Sequence, residues 1–417
     1  MKKKQVIIVG AGASGMTAAI FAARQGAEVV LLEHKDRVGK KILSTGNGKC
    51  NLSNRKMDAS CYRSSVSGFP MKVIRQFPVE RTLEFFESLG VVIKDRNGYL
   101  YPWSGQASAI LDVLRTELKE QKVRVVTECE IHRILPPFGK NREEEKQCYR
   151  VETGKGVFQG DCLILAAGSK AAPGTGSDGS GYKLAAALGH RIVKPLPALV
   201  QLKCRESFYK QITGVRTDGR VTLWSDGDLL SSDSGELQLT DYGISGIPVF
   251  QVSRYAVRAL DEGKKVSAVI DFCPELSRKQ VAAHLRDRRE RGGERTLEEL
   301  FTGWIHKKLA LLFLKRSNLR TDRPVKSLTD AEIRALTVCV KEFRTEIIGS
   351  NSFEQAQICC GGVDVREVDP FSLESKKWKG LYLIGELLDV DGICGGYNLQ
   401  WAWSTGAIAG THAGTME

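Results

Sequence analysis

The sequence predicts an α/β protein in which a domain built on a parallel sheet is interrupted by a β-rich insertion with a helical subdomain. Three observations carry this prediction. They are a strand–glycine turn–helix pattern at the start, alternating strand patterns in the middle, and a buried strand with a glycine-rich turn near the end. Because 417 residues exceed the length at which a single core stops growing, we expect more than one domain.

The composition is that of an ordinary globular protein, with 42% hydrophobic and 26% charged residues. No apolar run approaches the roughly 20 residues of a membrane-spanning helix, and the first residues are not typical of a signal peptide. The 11 cysteines include no CxxC pair, which disfavours a zinc site and a redox-active disulfide. We therefore expect a cytoplasmic protein without a membrane span and without a metal site.

The net charge of +12 and the isoelectric point near 9.1 suggest a partner of negative charge. Nucleic acid, an anionic cofactor and anionic small substrates would all be attracted to such a surface. A solvated basic surface is the alternative, and charge alone does not separate these interpretations.

The first motif has the pattern of a strand, a tight turn and a helix. Val6 to Val9 form a short apolar run that is typical of a buried parallel strand. In the GxGxxG pattern that follows, the first glycine allows the turn, the second lets backbone approach a pyrophosphate, and the third allows close helix–strand contact. The opening helix turn favours phosphate through its free amides. The residues assigned here to dinucleotide binding are Gly10, Gly12, Ala13, Ser14 and Gly15.

The second strand, Val29 to Leu32, ends at Glu33. A carboxylate at this position is expected to accept hydrogen bonds from the ribose hydroxyls of an adenosine. Its charge would repel the 2′-phosphate of NADP. Strand, turn, helix, strand and acidic residue occur in the order that dinucleotide binding requires, so the sequence predicts a Rossmann-type domain.

The segment from Arg37 to Asn54 favours FAD over NAD. It is long and rich in Gly, Asn, Ser and Lys, whereas a simple NAD domain would continue into a crossover helix at this point. Such a loop is suited to wrap an extended pyrophosphate and a flavin, with Lys41 and Asn47 as cofactor-binding residues. A solvated lysine loop is the alternative interpretation.

Two further segments of the N-terminal half are predicted to contact the cofactor. The backbone near Ile131, within a strand pattern, is expected beside the adenine end of FAD. The apolar run Cys162 to Leu165 predicts a buried strand that ends on Ala166, Ala167 and Gly168. The last two of these small residues are assigned to the cofactor site.

The pattern of apolar and polar residues changes near residue 190, and this change predicts an inserted domain. Alternating apolar and polar residues, separated by turn signals, predict β structure, while a strongly charged stretch within the insertion is predicted to be helical. Thr329 and Glu332 form a capping-box pattern at the start of another helix or crossover. The predicted boundaries are 1–190 and 351–417 for the discontinuous FAD-binding domain and 191–350 for the insertion, with β parts at about 191–275 and 325–350 and a helical part at about 276–324.

The opening fold is predicted to resume near the C terminus. Leu381 to Ile384 form another buried strand pattern, which ends at Gly385 and Glu386. The carboxylate is expected to bond a ribityl hydroxyl while the glycine backbone approaches phosphate. The stretch GGYNLQWAWSTG then leads into a helix of small residues, whose N-terminal dipole would stabilise reduced flavin. The residues assigned to the flavin ring are Gly396, Asn398 and Leu399.

The chain resembles the YhiN-like flavoproteins in five motifs, namely GAGASG at Gly10, GKKILSTGNGKCNLSN at Gly39, LILAAG at Leu163, GELLDVDG at Gly385 and GGYNLQWAWSTG at Gly395. That family includes aminoacetone-oxidase-like enzymes and a bile-acid-inducible flavoprotein reductase of gut bacteria. The resemblance covers the whole chain. It implies a glutathione-reductase-like FAD-binding domain split by a β-rich insertion with a helical subdomain.

The chain departs from the family pattern at two places. The strand-end motif, commonly ATG, is Ala166-Ala167-Gly168 here, which removes a hydroxyl near the cofactor. Trp103 stands where a smaller aliphatic residue is expected. If its loop lines the substrate pocket, as its position in the family implies, the flat indole would suit a hydrophobic, ring-shaped substrate.

The family implies two directions of flavin chemistry. One is hydride transfer from reduced flavin to the conjugated C=C of a 3-oxo steroid-like substrate such as a bile acid; the other is oxidation of a small amine such as aminoacetone by oxygen. The basic charge, Trp103 and the enone chemistry favour reduction of a small hydrophobic or anionic substrate. The sequence assigns no catalytic residue, because a structural role is the simpler interpretation of the candidate hydroxyl donors Tyr242 and Tyr397.

A single GxGxxG is present, so NAD(P)H or another reductant is expected to bind transiently. An alternative function of a different class is that of an RNA-binding or RNA-modifying flavoprotein, which the basic stretch from Ser277 to Lys326 suggests. The sequence indicates neither the cysteine-pair chemistry nor the aromatic stacking platform expected of such a protein. We therefore expect no nucleic-acid partner.

Overall fold

The computed structural model describes residues 3–137 and 148–415. The chain divides into two compact units. The first unit comprises Met1–Leu196 and Gln357–Glu417, and the second unit is Pro197–Ala356. The second unit is therefore an insertion into the first. Within the described residues, no helix is long and apolar enough to cross a membrane.

The helices of the described residues are α1 (Ala13–Arg24), α2 (Phe69–Ile74), α3 (Val79–Ser88), α4 (Ala107–Glu120), α5 (Ser180–Ala187), α6 (Ile247–Asp261), α7 (Arg278–Glu290), α8 (Lys307–Arg316), α9 (Asp330–Lys341) and α10 (Tyr397–Gly414). Short 3₁₀ turns connect some of them, including one over Lys40–Gly48.

The strands of the first unit before the insertion are β1 (Gln5–Val9), β2 (Glu28–Leu32), β3 (Ser53–Asn54), β4 (Tyr62–Ser64), β5 (Ile93–Arg96), β6 (Tyr99–Pro102), β7 (Arg124–Val126), β8 (Ile131–Leu135), β9 (Tyr149–Thr153), β10 (Gly156–Gly160), β11 (Cys162–Leu165) and β12 (Ile192–Ala198). Those of the second unit are β13 (Leu202–Cys204), β14 (Arg216–Ser225), β15 (Asp228–Leu239), β16 (Gly243–Gly246), β17 (Val266–Asp271) and β18 (Phe343–Ser350). The first unit then adds β19 (Ile358–Val363), β20 (Leu381–Leu383) and β21 (Val390–Gly392).

The first unit is built on a parallel five-stranded sheet in the order β20-β11-β1-β2-β7. Its central strand is β1, where Val6 lies beside Cys162 on one side and Val29 on the other. These strands read as continuous apolar runs because both faces of the sheet are covered. The strand order runs outward from β1 in both directions, so a topological switch point lies at the carboxyl edge of β1. Ligands of open α/β sheets bind at such points.

The C-terminal helix α10 packs directly onto α1 through glycines. A Cβ placed on any of three glycines of α10 would lie within 2.4 to 2.6 Å of a backbone oxygen of α1. Both sets of residues recur every four positions, so each forms one stripe along its helix. The facing residues are Gly406 with Ser14, Gly410 with Ala18, and Gly414 with Ala22. The small residues of α10 thus allow two helix backbones to touch.

The two packed helices run in the same direction, because residue numbers increase together along their contact. Their N-termini therefore point toward the same end of the first unit. Helix α10 begins nine residues before Gly406, whereas α1 begins one residue before Ser14. At 1.5 Å per residue, α10 extends about 12 Å beyond the start of α1. The N-termini of α10 and α1, which both carry partial positive charge, therefore lie one behind the other along the same direction.

Both tryptophans of α10 belong to the core of the first unit. Trp401 and Trp403 are fully buried, and their indole N–H groups donate to the carbonyls of Gly385 and Leu52, each at 3.0 Å. Buried Gln400, immediately before Trp401 in the chain, donates to Thr82 Oγ1 at 2.8 Å. Each buried polar group therefore has a partner, which holds the start of α10 in one position.

The second unit is a closed antiparallel barrel with strand order β13-β16-β15-β14-β17-β18. The 15-residue helix α6 packs within this unit, although the sequence analysis predicted only β structure there. Signals for the helix were present: Pro248 lies in its first turn, and Val249, Val252 and Ala256 are buried at helical spacing. Helix α9 lies inside the predicted β part at about 325–350, but a helix or crossover was predicted at this place, and the helix and its capping box of Thr329 and Glu332 are confirmed.

The insertion begins at Pro197 and ends at Ala356, rather than spanning 191–350. The insertion begins later than predicted because β12 pairs with β19 of the first unit, which keeps the start of β12 in that unit. The predicted helical part, about 276–324, contains α7 and α8.

Candidate functional site

The carboxyl edge of the parallel sheet brings together the strand ends that the sequence assigned to the cofactor. Gly10 follows β1 and donates its N–H to the carbonyl of Leu32 at the end of β2, at 2.8 Å. Ala166 follows β11 and donates to Val9 at 2.8 Å. Gly10 and Ala166 are 156 positions apart in the chain, yet they meet at this edge because parallel strands end on one side. We build the candidate site from this edge.

The three glycines of the GxGxxG turn meet different surroundings. Gly10 has a φ of +101°, and a Cβ there would lie 2.5 Å from the carbonyl oxygen of Ala166. A Cβ on Gly15 would lie 1.9 Å from the carbonyl oxygen of Gly10. Gly12 differs, because no atom of the described residues lies within 4 Å of a Cβ placed there. The first and third glycines are thus needed by the fold itself. The second faces open space at the start of α1, where a pyrophosphate would fit.

Glu33 is buried, with 8% of its surface exposed, and it holds the glycine turn in place. Its Oε2 accepts from the N–H of Ala11 at 3.0 Å, and its Oε1 accepts from the N–H of Lys35 at 2.9 Å. A carboxylate offers about four acceptor positions, so capacity remains for ribose hydroxyls. The sequence predicted only the ribose role of this residue.

The segment before Ile131 lies beside Glu33, since the N–H of Cys129 donates to the Glu33 carbonyl at 2.9 Å. His34 also lies here, with Nδ1 3.5 Å from Glu33 Oε1. Its Nε2 is buried and has no hydrogen-bond partner among the described residues. A buried ring nitrogen without a partner suits a ligand hydroxyl or ring at this end of the site. Sequence analysis did not single out His34, because one histidine after a strand is no motif.

Lys41 and Glu386 are far apart in the chain, yet their side chains form an ion pair. Lys41 Nζ lies 2.6 Å from Glu386 Oε2, and that oxygen also accepts from Ser169 Oγ at 3.0 Å. Cys359 adjoins this cluster, and burial raises the pKa of its thiol to about 11, so it stays protonated. The cluster leaves Glu386 Oε1 for a hydroxyl ligand.

Gly385 and Gly168 both have left-handed backbone conformations, with φ of +67° and +71°. A Cβ on Gly385 would lie 2.5 Å from Ser14 Oγ at the start of α1. Thr405 Oγ1 accepts from the Gly385 N–H at 3.1 Å. The strand end at Gly385 is thereby held between α1 and α10. Ala167, beside Gly168, is half-buried at the same edge.

The loop before α10 is shaped by Asn398. The side-chain oxygen of Asn398 accepts from the Gly392 N–H at 2.8 Å, and its amide nitrogen donates to the Gly392 carbonyl at 3.0 Å. Gly396 has a φ of +97° and lies against Ser53, while Leu399 is half-buried. Since both ends of the Asn398 amide serve the loop, a bound flavin would meet backbone there. Asn47, on the facing loop, is exposed.

A face of alternating aromatic residues borders the site on the hairpin of β5 and β6. Tyr99 and Tyr101 lie opposite Arg96 and Lys94 in register, and Trp103 continues the same face. We call these five residues the hairpin face. The Lys94 ammonium lies 4.9 Å from the Trp103 ring centre, and the Arg96 guanidinium 5.7 Å from that of Tyr101. The sequence analysis missed this platform, although the i, i+2, i+4 aromatic spacing was the available signal.

The hairpin face reaches the loops predicted to hold flavin. A Cβ on Gly395 would lie 3.0 Å from Cε1 of Tyr99, and one on Gly46 would lie 3.7 Å from Cε1 of Tyr101. Trp103 is at the outer end of the face and is 65% exposed. Within the first unit the indole of Trp103 therefore lies at an exposed surface, where a flat ring-shaped molecule could still contact it.

The two tyrosines considered as hydroxyl donors occupy different units. Tyr242 accepts a hydrogen bond from Asn351 Nδ2 at 3.0 Å in the second unit. Tyr397 begins α10 in the first unit, and burial raises the pKa of its hydroxyl, which stays protonated at neutral pH. In the part of the chain that the structure describes, no group of acidic, histidine and cysteine side chains could hold a metal ion.

Comparison with known proteins gives a clear relative. The chain is 45% identical over 408 residues to a 3-dehydro-bile acid delta(4,6)-reductase of Clostridium scindens, covering 97% of this chain and 98% of that protein. It is 26% identical over 402 residues to a ribosomal RNA dihydrouridine synthase of Haemophilus influenzae, covering 96% of each. A ribosomal RNA dihydrouridine synthase of Escherichia coli is 27% identical over 415 residues, with 97% of this chain and 96% of that protein covered.

The family described as HI0933-like protein Rossmann domain matches residues 4–412, which is nearly the whole chain. This match and the 45% identical relative confirm the predicted family resemblance and the predicted Rossmann-type α/β fold class with its β-rich insertion. The chain belongs to the HI0933-like Rossmann-domain family.

Proposed function

We propose that the protein reduces a conjugated C=C bond of a 3-oxo steroid-like acid, such as a bile acid, with FAD as cofactor. The observation that carries this proposal is the 45% identity, over 97% of the chain, to a protein named for that reaction. The chain is an FAD-dependent oxidoreductase by family and by this relative. The substrate, the cofactor contacts and the electron donor are parts of the proposal.

The described residues fit FAD. Open space at Gly12 adjoins the start of α1, which would bind the pyrophosphate, and the start of α10 lies about 12 Å farther on, where a ribityl chain would bring the flavin. His34 adjoins Glu33 at the adenosine end through Nδ1, and its buried Nε2 makes no hydrogen bond among the described residues, with Asp178 Oδ2 3.9 Å away. The residues proposed to hold FAD are Gly10, Gly12, Ala13, Ser14, Gly15, Glu33, Lys41, Asn47, Ile131, Ala167, Gly168, Gly385, Glu386, Gly396, Asn398 and Leu399.

The chemistry that bound FAD supplies is hydride transfer to the alkene carbon farthest from the ketone. The chain contributes charge and position. The N-terminal dipole of α10 favours negative charge near the flavin end. The alkene gains one hydride and one proton. NAD(P)H or another two-electron donor, bound transiently, then supplies the electrons that reduce the flavin again.

The purified protein is expected to be yellow and to release FAD when denatured. The reason is that Glu33 and its neighbours form a site for adenosine, which FMN lacks. Reversed-phase chromatography of the supernatant after heat denaturation, against FAD and FMN standards, checks this. Release of FMN, or no flavin after reconstitution with FAD, would contradict the cofactor assignment.

The reduced protein is expected to be reoxidised by an enone in the absence of oxygen. FAD in the holoprotein is reduced anaerobically, a 3-oxo-Δ4 bile acid is added, and the absorbance of oxidised flavin is followed. We expect stoichiometric reoxidation and a product two hydrogens heavier by mass spectrometry. The matched control is the saturated 3-oxo acid, which offers no C=C bond. Failure with the enone, together with rapid peroxide formation from aminoacetone in air, would assign the protein to the amine oxidases instead.

Reduction of a base in ribosomal RNA is the second candidate function. Two relatives at 26% and 27% identity are named ribosomal RNA dihydrouridine synthases, and the hairpin face has the aromatic and cationic groups that stack bases. The corresponding test is a salt-dependent gel shift with ribosomal RNA fragments, followed by mass spectrometry for dihydrouridine. This function would make the expected absence of a nucleic-acid partner wrong.

The basic stretch that first suggested RNA does not support that candidate, because much of its charge is paired. Arg289 contacts Asp330 at 3.1 Å, and Arg323 contacts Glu332 at 2.7 Å. The guanidinium of Arg323 lowers the pKa of Glu332 to about 2. Guanidinium groups held by carboxylates are poorly placed to neutralise phosphates. The hairpin face is therefore the stronger argument for RNA.

A further inference from the structure

We propose that the hairpin face, formed by Lys94, Arg96, Tyr99, Tyr101 and Trp103, is the surface that selects anionic, ring-bearing substrates. The aromatic side chains would take the apolar ring system, and the two cations would pair with the carboxylate of the same molecule. The inference rests on the proposed function, since it names what that site recognises beyond the reacting enone.

The geometry of the hairpin places all five side chains on one side. Lys94 lies directly opposite Tyr101, and Arg96 directly opposite Tyr99, in the antiparallel register. Directly opposed residues share a face of the sheet. The alternate residue Leu100 is fully buried on the other face, which leaves the five residues of the hairpin face turned away from the core.

The two cations are available to an anion. Neighbouring Arg55 is paired with Asp95 at 3.1 Å, but Lys94 and Arg96 have no carboxylate partner within 4.0 Å among the described residues. They rest instead on the rings of Trp103 and Tyr101. A cation on an exposed ring is held weakly, so a carboxylate that arrives there can recruit it.

The location connects this surface to the predicted flavin end. Tyr99 lies against Gly395, and the side chain of Asn54, whose strand pairs with β6, donates to the Gly395 carbonyl at 3.1 Å. Tyr101 lies against Gly46. A long, rigid molecule with one end at these loops would extend its other end toward exposed Trp103. The acid group of a steroid-like acid lies at the end remote from its 3-oxo ring, which matches this order.

A small organic anion suits the hairpin face better than RNA does. Two cations can neutralise one carboxylate, whereas binding of single-stranded RNA draws on a basic groove that follows many phosphates. The 45% identical relative is also named for a small acid, and the RNA-named relatives are more distant. RNA is accordingly the competing occupant in the experiment below.

The test is a titration of the FAD-loaded protein by calorimetry with a 3-oxo-Δ4 bile acid and with its uncharged methyl ester. We expect the wild-type protein to bind the acid about tenfold more tightly than the ester. The double variant Lys94→Gln/Arg96→Gln should bind both compounds alike. Trp103→Ala should weaken binding of both by about tenfold. The matched control Lys119→Gln/Lys183→Gln, which removes two exposed lysines from the same unit, should keep the preference.

Several results would overturn the inference: equal binding of acid and ester by the wild-type protein, no binding of either, or a preference that survives the double variant. Salt-dependent binding of single-stranded RNA that disappears in Trp103→Ala would assign the face to RNA instead. Preferential binding of the acid without reoxidation of reduced flavin would support the hairpin inference and reject the proposed reaction. The two proposals can thus fail separately.

Discussion

Replacing Glu33 by arginine should weaken FAD binding at least about a hundredfold. The variant would lose the carboxylate proposed to accept from the ribose hydroxyls, at about 1.5–3 kcal/mol for each hydrogen bond to a charged group. It would also free the N–H groups of Ala11 and Lys35, which Glu33 now holds. The glycine turn would therefore lose part of its preorganisation before any cofactor binds.

The measurement for Glu33→Arg is a titration of the apoprotein with FAD, followed by the change in flavin fluorescence. Glu33→Gln is the matched variant, because its amide oxygen can still accept one hydrogen bond; we expect a loss of about tenfold. Thermal unfolding of the apoproteins separates misfolding from lost binding. An unchanged dissociation constant in Glu33→Arg would reject the assigned adenosine end.

Replacing Gly410 by leucine should lower the free energy of unfolding by about 3 kcal/mol or more. A Cβ at Gly410 would already lie 2.4 Å from the backbone oxygen of Ala18. Backbone of a buried helix cannot move aside as a flexible side chain would, so α1 and α10 would have to separate. Because both helices begin at the proposed FAD site, the variant should also retain less FAD on purification.

Urea unfolding followed by tryptophan fluorescence measures the effect of Gly410→Leu. His412→Leu is the control, since it adds a leucine to the same helix at an exposed position, where we expect a change within about 0.5 kcal/mol. Equal stability of the two variants would show that the glycine stripe does not set the approach of α1 and α10.

Local patterns carried much of the prediction. The GxGxxG turn, the acidic residue after β2, and the small residues after β11 and β20 each follow a buried strand in the sequence. Because parallel strands end at one edge, these separate segments were expected to meet, and the structure does bring Gly10, Glu33 and Ala166 together there. Their contacts with FAD remain predictions.

Contacts between distant segments were not readable from the sequence. Lys41 and Glu386 were both assigned to the cofactor site, but no local pattern says that they pair with each other at 2.6 Å. The hairpin face was missed for a related reason. Tyr99, Tyr101 and Trp103 become a surface only when β5 supplies Lys94 and Arg96 opposite them, and cross-strand register depends on the folded sheet.

The sequence by itself determined the local structures whose causes are local: the glycine turn, the strand–acid order, the capping box at Thr329, and the small-residue character of α10. Only the tertiary structure decided what those small residues do. The small residues of α10 allow close packing but do not identify its partner, because many helices could accept a flat glycine stripe. The matching stripe of Ser14 and Ala18 becomes the partner once the parallel sheet places α1 and α10 side by side, and that depends on contacts across nearly the whole chain.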